Sequence, residues 1–377
     1  MTLSHSMNFS IPDDLKKYLA DLDKFIDEKI TPLQHKDDNN RFFDHRREHA
    51  RTDWDNGGLP RKEWEELLTE SRKLADEAGF YRLSLPKQYG GQNSEDGRGS
   101  NLWMAVIREH LAAKGLGLFN DLQTEHSMVG NFPDVIMLMN FGNEQQKKEF
   151  IPLRLQGKFR MTFGLTEPGH GKDGEIKGIS CFIVPRDTPG LVAESYEWTL
   201  NMPTDHATVS IKDVWVPESA ALGPIHNGLG VAQAFVHENR IRQAASSLGA
   251  AVYCASKFPL VELATQCEML RQLIRKTALE MDSMPHHEIE KKIGDKVSMC
   301  NYYANRLCTQ AADRAIQVHG GNGYSRHYPF EHIWRHHRRY RITEGSEEIQ
   351  MRKVAAYLFG FGGRKSLVDA TKAESKL

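Results

Sequence analysis

Val297-Ser298-Met299-Cys300-Asn301-Tyr302-Tyr303-Ala304-Asn305-Arg306-Leu307-Cys308-Thr309-Gln310-Ala311 places Val297, Cys300, Ala304, Leu307 and Ala311 three or four residues apart, and Val318 continues the series. Residues spaced in this way share one face of an α-helix, because 3.6 residues complete a turn. Upstream, Leu260, Leu263, Cys267, Leu270, Ile274 and Met281 form a second stripe of the same period. Long helices that each carry one apolar stripe bury it by packing side by side, which predicts an antiparallel helical bundle beyond Gly228. Outward from the bundle, Pro12 to about Gly157 is also helical in period, with Leu15 to Ile30 and Arg61 to Ala78 the clearest stretches. Between the two helical parts lie Phe159 to Leu165, Ile179 to Val184 and Thr208 to Val216. These are short, rich in β-branched or aromatic residues and bounded by Gly, Pro or Asp, so they read as strands. The predicted class is mainly α with a small β domain.

Composition narrows the function. The 377 residues suffice for two or three domains with a sizeable core. Lys plus Arg (49) nearly balance Asp plus Glu (50), so no global charge draws the chain to nucleic acid or to an anionic membrane. The cysteines Cys181, Cys254, Cys267, Cys300 and Cys308 are odd in number and form no C-x-x-C pair, which reads as buried thiols in a reducing compartment. No stretch reaches the length of a membrane span, and none resembles a secretion signal. The chain closes on Ser375-Lys376-Leu377, a peroxisomal address; mitochondrial or cytoplasmic location is the lesser alternative.

Four motifs could carry chemistry. Gly169-His170-Gly171-Lys172-Asp173-Gly174 fits G-x-G-x-x-G but is followed by loop and strand rather than the helix a dinucleotide site needs. His332 and His336 are four apart, as metal ligands on a helix could be, but no carboxylate or cysteine completes a set. The Arg335, Arg338, Arg339 and Arg341 around them read as a solvated face ahead of a phosphate site. Gly320-Gly321-Asn322-Gly323 reads as a helix C-cap or as backbone that a ligand can approach closely. Thr343-Glu344-Gly345-Ser346-Glu347-Glu348 reads by itself as the acidic start of the last helix.

Taken in order, several segments resemble the acyl-CoA dehydrogenases along nearly the whole chain. Phe141-Gly142-Asn143-Glu144-Gln145-Gln146 followed by Phe163-Gly164-Leu165-Thr166-Glu167-Pro168-Gly169 resembles that family's passage from N-terminal helices into a β domain. Gly178 to Val184 and Ile211 to Pro217 resemble later strands, and His237-Glu238-Asn239-Arg240 the start of the helix lining the substrate pocket. Gln317 to Tyr324 and Ile342-Thr343-Glu344-Gly345-Ser346 resemble the two C-terminal signatures. The resemblance implies an N-terminal helical domain (1–160), a truncated middle β domain (161–222), a C-terminal antiparallel bundle (223–361) and a flexible tail (362–377).

The resemblance also implies FAD as cofactor, an acyl-CoA substrate and a homodimer or homotetramer, and it leaves the electron acceptor open between oxygen and a flavoprotein. It assigns Glu344 as the base that removes a proton from the acyl α carbon while a hydride leaves the β carbon for the flavin, giving a trans-2-enoyl-CoA. Gly164, Leu165 and Thr166 fall where the family faces the flavin ring. Gln317, Gly320 and Gly321 fall where it approaches the FAD of an adjacent subunit. Ser346 and Glu348 match its diphosphate or adenosine contacts, and Arg240 and Gly345 its substrate side. Some members carry the base at the place of Asn239, which cannot act as one, and the adjacent Glu238 points about 100 degrees away on a helix. Two stretches are shorter than the family pattern. Several strands are absent between Asp173 and Gly178, and at Lys257-Phe258-Pro259 a helix extension and an Arg-x-x-Phe-Gly segment are absent. The alternative reading is therefore a flavin-poor, catalytically impaired relative that binds acyl-CoA or partner subunits.

Overall fold

The computed structural model describes residues 10–47, 49–93, 100–121, 128–165, 179–200, 206–258 and 260–360. Six helices form the N-terminal part: α1 (Asp13–Phe25), continued by a π-turn at Ile26–Ile30, α2 (Thr31–His35), α3 (Lys62–Glu77), α4 (Asn101–Lys114), α5 (Pro133–Phe141) and α6 (Glu144–Leu155). A two-residue ladder joins β1 (Thr52–Asp53) to β2 (Leu59–Pro60). Helix α6 begins on a capping box: the Asn143 side chain accepts from the Gln146 N–H, and the Gln146 side chain accepts from the Asn143 N–H.

The bundle comprises α7 (Gly228–Ser256), α8 (Val261–Asp282), α9 (His286–Val318), the short α10 (Gly321–Tyr324), α11 (Phe330–Tyr340) and α12 (Glu347–Phe359). The stripes read from the sequence are its core: Cys267, Leu270, Ile274 and Met281 of α8 meet Val297, Cys300, Ala304, Leu307 and Ala311 of α9, all buried. Helix α7 runs between the two helical parts and is buried along most of its length. Its Gly249 lets it approach α4 closely, since a Cβ there would lie 2.3 Å from the Glu109 carbonyl oxygen. Asp282, at the end of α8, accepts from the backbone N–H groups of Asn101 (2.8 Å) and Leu102 (3.0 Å). A carboxylate 181 residues away thus caps α4, whose own N-cap Ser100 supplies no side-chain bond.

The middle part departs from the expected strands. β3 (Leu191–Tyr196) and β4 (Ala207–Ile211) form an antiparallel pair with an irregularity between Ala193 and Ser195. Phe159 to Leu165 is coil, and Ile179 to Val184 makes one isolated bridge, Phe182 with Ala221. Composition misled because aromatic and β-branched residues suit any half-buried surface, whether or not the backbone finds a ladder partner. Here Phe159 stacks on Phe150 of α6, and Phe163 on Phe235 of α7 at a centroid distance of 5.2 Å. The β3–β4 pair leaves Val192, Val209 and Ile211 exposed, and Trp198 beyond it stacks on Trp54 of the N-terminal part at 4.6 Å.

Among the described residues no helix is long and apolar enough to cross a membrane. Cys254, Cys267, Cys300 and Cys308 are buried free thiols and Cys181 is half-buried, as expected, and burial pushes Cys254 and Cys300 up to about 12. Thr166, the Gly169 to Gly174 motif and Ser375-Lys376-Leu377 lie outside the described residues.

Candidate active site

Glu344 does not belong to the helix that follows it. Ser346 is the N-cap of α12, and Glu344 sits two residues earlier with φ +55°, followed by Gly345 with φ +92°. The acidic helix start read from the sequence is therefore made by Glu347 and Glu348, with Glu347 bound back to Arg341 at 2.7 and 2.8 Å. A non-glycine residue at positive φ costs about 1–3 kcal/mol and persists only where its surroundings hold it.

Those surroundings are specific. Arg240 of α7, itself buried, donates twice to the Glu344 carbonyl oxygen, from Nε at 2.9 Å and Nη2 at 2.7 Å. Gln350 of α12 donates to the Gly345 carbonyl at 2.6 Å and to Asn301 Oδ1 at 3.0 Å. Asn301 in turn donates to the Arg240 carbonyl at 3.0 Å, so α7, α9 and α12 are tied to one turn. Gly345 is required twice, for its positive φ and because a Cβ there would lie 2.9 Å from Arg240 Nη2. Burial raises the Glu344 carboxyl above the usual range, against the pull of Arg240, a hydrogen bond from Asn239 and the charge of Arg339. The turn thus presents a shielded carboxyl that holds its proton more tightly than an exposed glutamate does.

The segment His237-Glu238-Asn239-Arg240 sends its side chains in separate directions. His237 Nε2 meets Glu290 of α9 at 2.9 Å. Glu238 faces inward to a buried ion pair with Arg242 at 2.9 Å, away from Glu344, as helical geometry requires. Asn239 and Arg240 both reach the Glu344 turn.

The other expected residues lie apart. Leu165 is 54% exposed, and at Gly164 an added Cβ would meet nothing within 4 Å. Gln317, in the last turn of α9, and Gly320 and Gly321, just beyond it, are exposed. From Asn301, beside Arg240, to Gln317 is sixteen helical residues or about 24 Å, so within one chain they cannot share a site with Glu344. Gly320 has φ +55° and follows the last turn of α9, in keeping with the C-cap reading, and it too leaves open space around its Cα. Ser346 is beside the turn, and Glu348 is exposed.

The histidine and arginine cluster is corrected. His336 and His337 are fully buried, packed edge to face on Tyr340, with His337 Nδ1 2.8 Å from the Ser247 hydroxyl. Burial holds His337 near 3. The side of α11 that carries His336, His337 and Tyr340 therefore faces inward, while Arg335, Arg338, Arg339 and Arg341 are half-buried, and among the described residues no His, Cys, Asp or Glu group could hold a metal.

Helices α7, α9 and α12 thus grip a strained turn that bears a shielded carboxyl. The chain belongs to the acyl-CoA dehydrogenases: the family's N-terminal domain matches residues 12–158 and its C-terminal domain residues 253–359. An acyl-CoA dehydrogenase of Bacillus subtilis is 27% identical over 347 aligned positions, which take in 75% of this chain and 87% of the relative. The mitochondrial isobutyryl-CoA dehydrogenase of Dictyostelium discoideum is 24% identical over 404 positions, 90% of this chain and 88% of its own. Both alignments are longer than the share of this chain they use, so each relative has residues where this chain has none. Among solved structures, butyryl-CoA dehydrogenase of Megasphaera elsdenii superposes with a TM-score of 0.67 at 20% identity, covering 93% of this chain and 99% of its own. An acyl-CoA dehydrogenase of Bacillus anthracis, complexed with FAD, gives 0.69 at 19%, covering 97% and 70%. Members of the family are FAD-dependent oxidoreductases.

Proposed function

We propose that this chain is an acyl-CoA dehydrogenase that removes an α proton and a β hydride from an acyl-CoA thioester to give a trans-2-enoyl-CoA, with Glu344 as the base. The observation that carries the reading is the Glu344 turn: a shielded carboxyl on a strained backbone whose main-chain carbonyl accepts from both Nε and Nη2 of Arg240. Burial raises its proton affinity toward that needed to attack a weak carbon acid, and the grip of Arg240, Asn301 and Gln350 keeps it in place when it is charged.

Phe163 lies on Phe235 of the helix that carries Arg240, and the neighbouring Gly164 backbone is open to close approach. Gly164, Leu165 and Thr166 are the residues we assign to the ring, and FAD bound there supplies the hydride acceptor. Gly345 and Arg240 bound the substrate side. At the diphosphate end Ser346 can donate from its hydroxyl, whereas the exposed carboxylate of Glu348 repels a diphosphate and contributes no favourable contact. The roughly 24 Å along α9 from Asn301, beside Arg240, to Gln317 supports a homo-oligomer in which Gln317, Gly320 and Gly321 serve the neighbouring subunit's cofactor.

The test is enoyl-CoA formation from a series of saturated acyl-CoA substrates with an artificial electron acceptor and added FAD, comparing the parent chain with Glu344→Gln. Loss of product in the variant at equal flavin content supports the reading; undiminished product removes Glu344 from it. A parent chain that stays colourless and inactive with FAD overturns the dehydrogenase reading itself.

A further inference from the structure

Helix α9 is broken near its start. Ile293 has φ −138° and ψ 17°, outside the helical range, so residues 286–292 form a short first segment set off from the rest of the helix. Glu290, in that segment, is bound at both its carboxylate and its carbonyl. Its Oε2 accepts from Lys353 Nζ of α12 at 2.5 Å. The same oxygen makes a 2.9 Å contact with His237 Nε2 of α7, without hydrogen-bond alignment. Against the effect of burial, His237 and Lys353 hold the Glu290 carboxyl down at about 2, so it is charged at neutral pH. Its carbonyl oxygen accepts from the Tyr357 hydroxyl of α12. The regular helical partner of that carbonyl, the Gly294 N–H, lies just across the break. Gly294 leaves the room these groups need. A Cβ there would lie 3.0 Å from both Glu290 Oε2 and the Tyr357 hydroxyl and 3.1 Å from Lys353 Cε.

We propose that Glu290 is a positioning residue for the Glu344 turn, bracing α12 and α7 one helical turn from the two residues that grip it. On α12, Lys353 and Tyr357 follow Gln350, the donor to the Gly345 carbonyl, by three and seven residues, so all three share one face. On α7, His237 precedes Arg240 by three. Asn301 ties the same two helices at the turn itself, through the Arg240 carbonyl and the Gln350 amide. Glu290 adds a second tie, and two ties fix an angle between helices that one leaves free to pivot. Glu290 precedes Asn301 by eleven residues, roughly 16 Å along an unbroken helix, whereas the residues they contact on α7 and α12 are about 4.5 Å apart. The break at Ile293 reconciles these spacings by turning the first segment across α7 and α12. The inference rests on Glu344 being the base, because the orientation of this turn matters to turnover only if its carboxyl reacts.

The test is amide hydrogen exchange in the full chain, read residue by residue in the parent, Glu290→Gln and Lys353→Met. The Glu347 N–H donates to the Arg341 carbonyl at 3.0 Å and closes the loop that carries Glu344, so its exchange reports opening of the turn. The Met104 N–H, bonded to the Ser100 carbonyl at 2.8 Å in the first turn of α4, is the reference. Loss of the charged tie should speed exchange at Glu347 about tenfold in each variant, with Met104 within a factor of about two of the parent. A role confined to overall stability moves both amides alike. That result, or an unchanged Glu347 rate in both folded variants, overturns the inference. Lys353→Met, which removes only the α12 arm, keeps the question answerable if Glu290→Gln does not fold. With FAD and acyl-CoA, kcat should fall about tenfold in both variants while KM stays near the parent value. Because exchange needs no turnover, a faster Glu347 rate in a chain that forms no enoyl-CoA keeps the brace and rejects only the base. An unchanged rate in an active chain does the reverse.

Discussion

Replacing Arg240 separates what its charge does from what its shape does. In Arg240→Met the Glu344 carbonyl loses two donors, at 2.9 and 2.7 Å, and the carboxyl loses its principal positive neighbour. Hydrogen bonds involving a charged group contribute about 1.5–3 kcal/mol each. The two here share one acceptor, so the expected loss of stability is about 2–3 kcal/mol. An opposite charge nearby lowers a carboxyl pKa by roughly 1–3 units. Arg339 and Asn239 remain in the variant, so the Glu344 pKa should rise by the lower figure, about one unit. The base would then be protonated across a wider range, and the acid limb of the kcat/KM profile should move to higher pH by the same amount. Arg240→Lys keeps the charge but not the two-armed grip. It should leave the limb within a few tenths of a unit of the parent while still losing about 1–2 kcal/mol of stability, the loss of one of two charged hydrogen bonds. The assays are pH profiles of acyl-CoA dehydrogenation and urea unfolding. An acid limb that stays put in Arg240→Met would refute the coupling between this guanidinium and the base.

Three further outcomes follow. Arg242→Met leaves the buried Glu238 without its partner at 2.9 Å and should cost about 3–5 kcal/mol in urea unfolding, most of it recovered by adding Glu238→Gln; equal losses in single and double variants would contradict this. Because folding raises the Glu344 pKa, the folded state holds that proton more tightly than the unfolded chain does, so its contribution is full below the ordinary glutamate range and is lost as pH rises through the raised value. Glu344→Gln should therefore gain stability relative to the parent across that window, and a pH-independent difference would speak against a shielded carboxyl. Asp282→Ala removes the acceptor from two N–H groups of α4 and should lower stability by about 1–2 kcal/mol, with amide exchange accelerated first at Asn101 and Leu102.

The helical architecture was legible because period survives in a single sequence: the stripe from Val297 to Ala311 lies in the core as read, and only its last member, Val318, is half-buried. The middle part was not, since strand assignment needs a partner and Phe159 to Leu165 found aromatic neighbours on α6 and α7 instead of a ladder. Glu344 was marked by its place among ordered motifs, while its local reading as a helix-start acid was displaced by a positive φ that no composition rule exposes. The supports of the site were hidden for a simpler reason. Asn131 and Asn239 are 108 residues apart and Asn301 and Gln350 are 49 apart, so only folding brings them together. The histidines of α11 share a face as metal ligands could, and periodicity shows which residues share a face, not that His336 and His337 are buried against Tyr340.

The most direct test of the account is exchange of the acyl α protons in D2O. Saturated acyl-CoA is incubated with the FAD-loaded protein under anaerobic conditions, and deuterium in recovered acyl-CoA is measured by mass spectrometry. General-base catalysis contributes about 10²–10⁴-fold, so the parent should wash deuterium into the α position at least a hundredfold faster than Glu344→Gln at equal flavin content. Equal exchange by the two proteins would contradict the claim that Glu344 takes the proton.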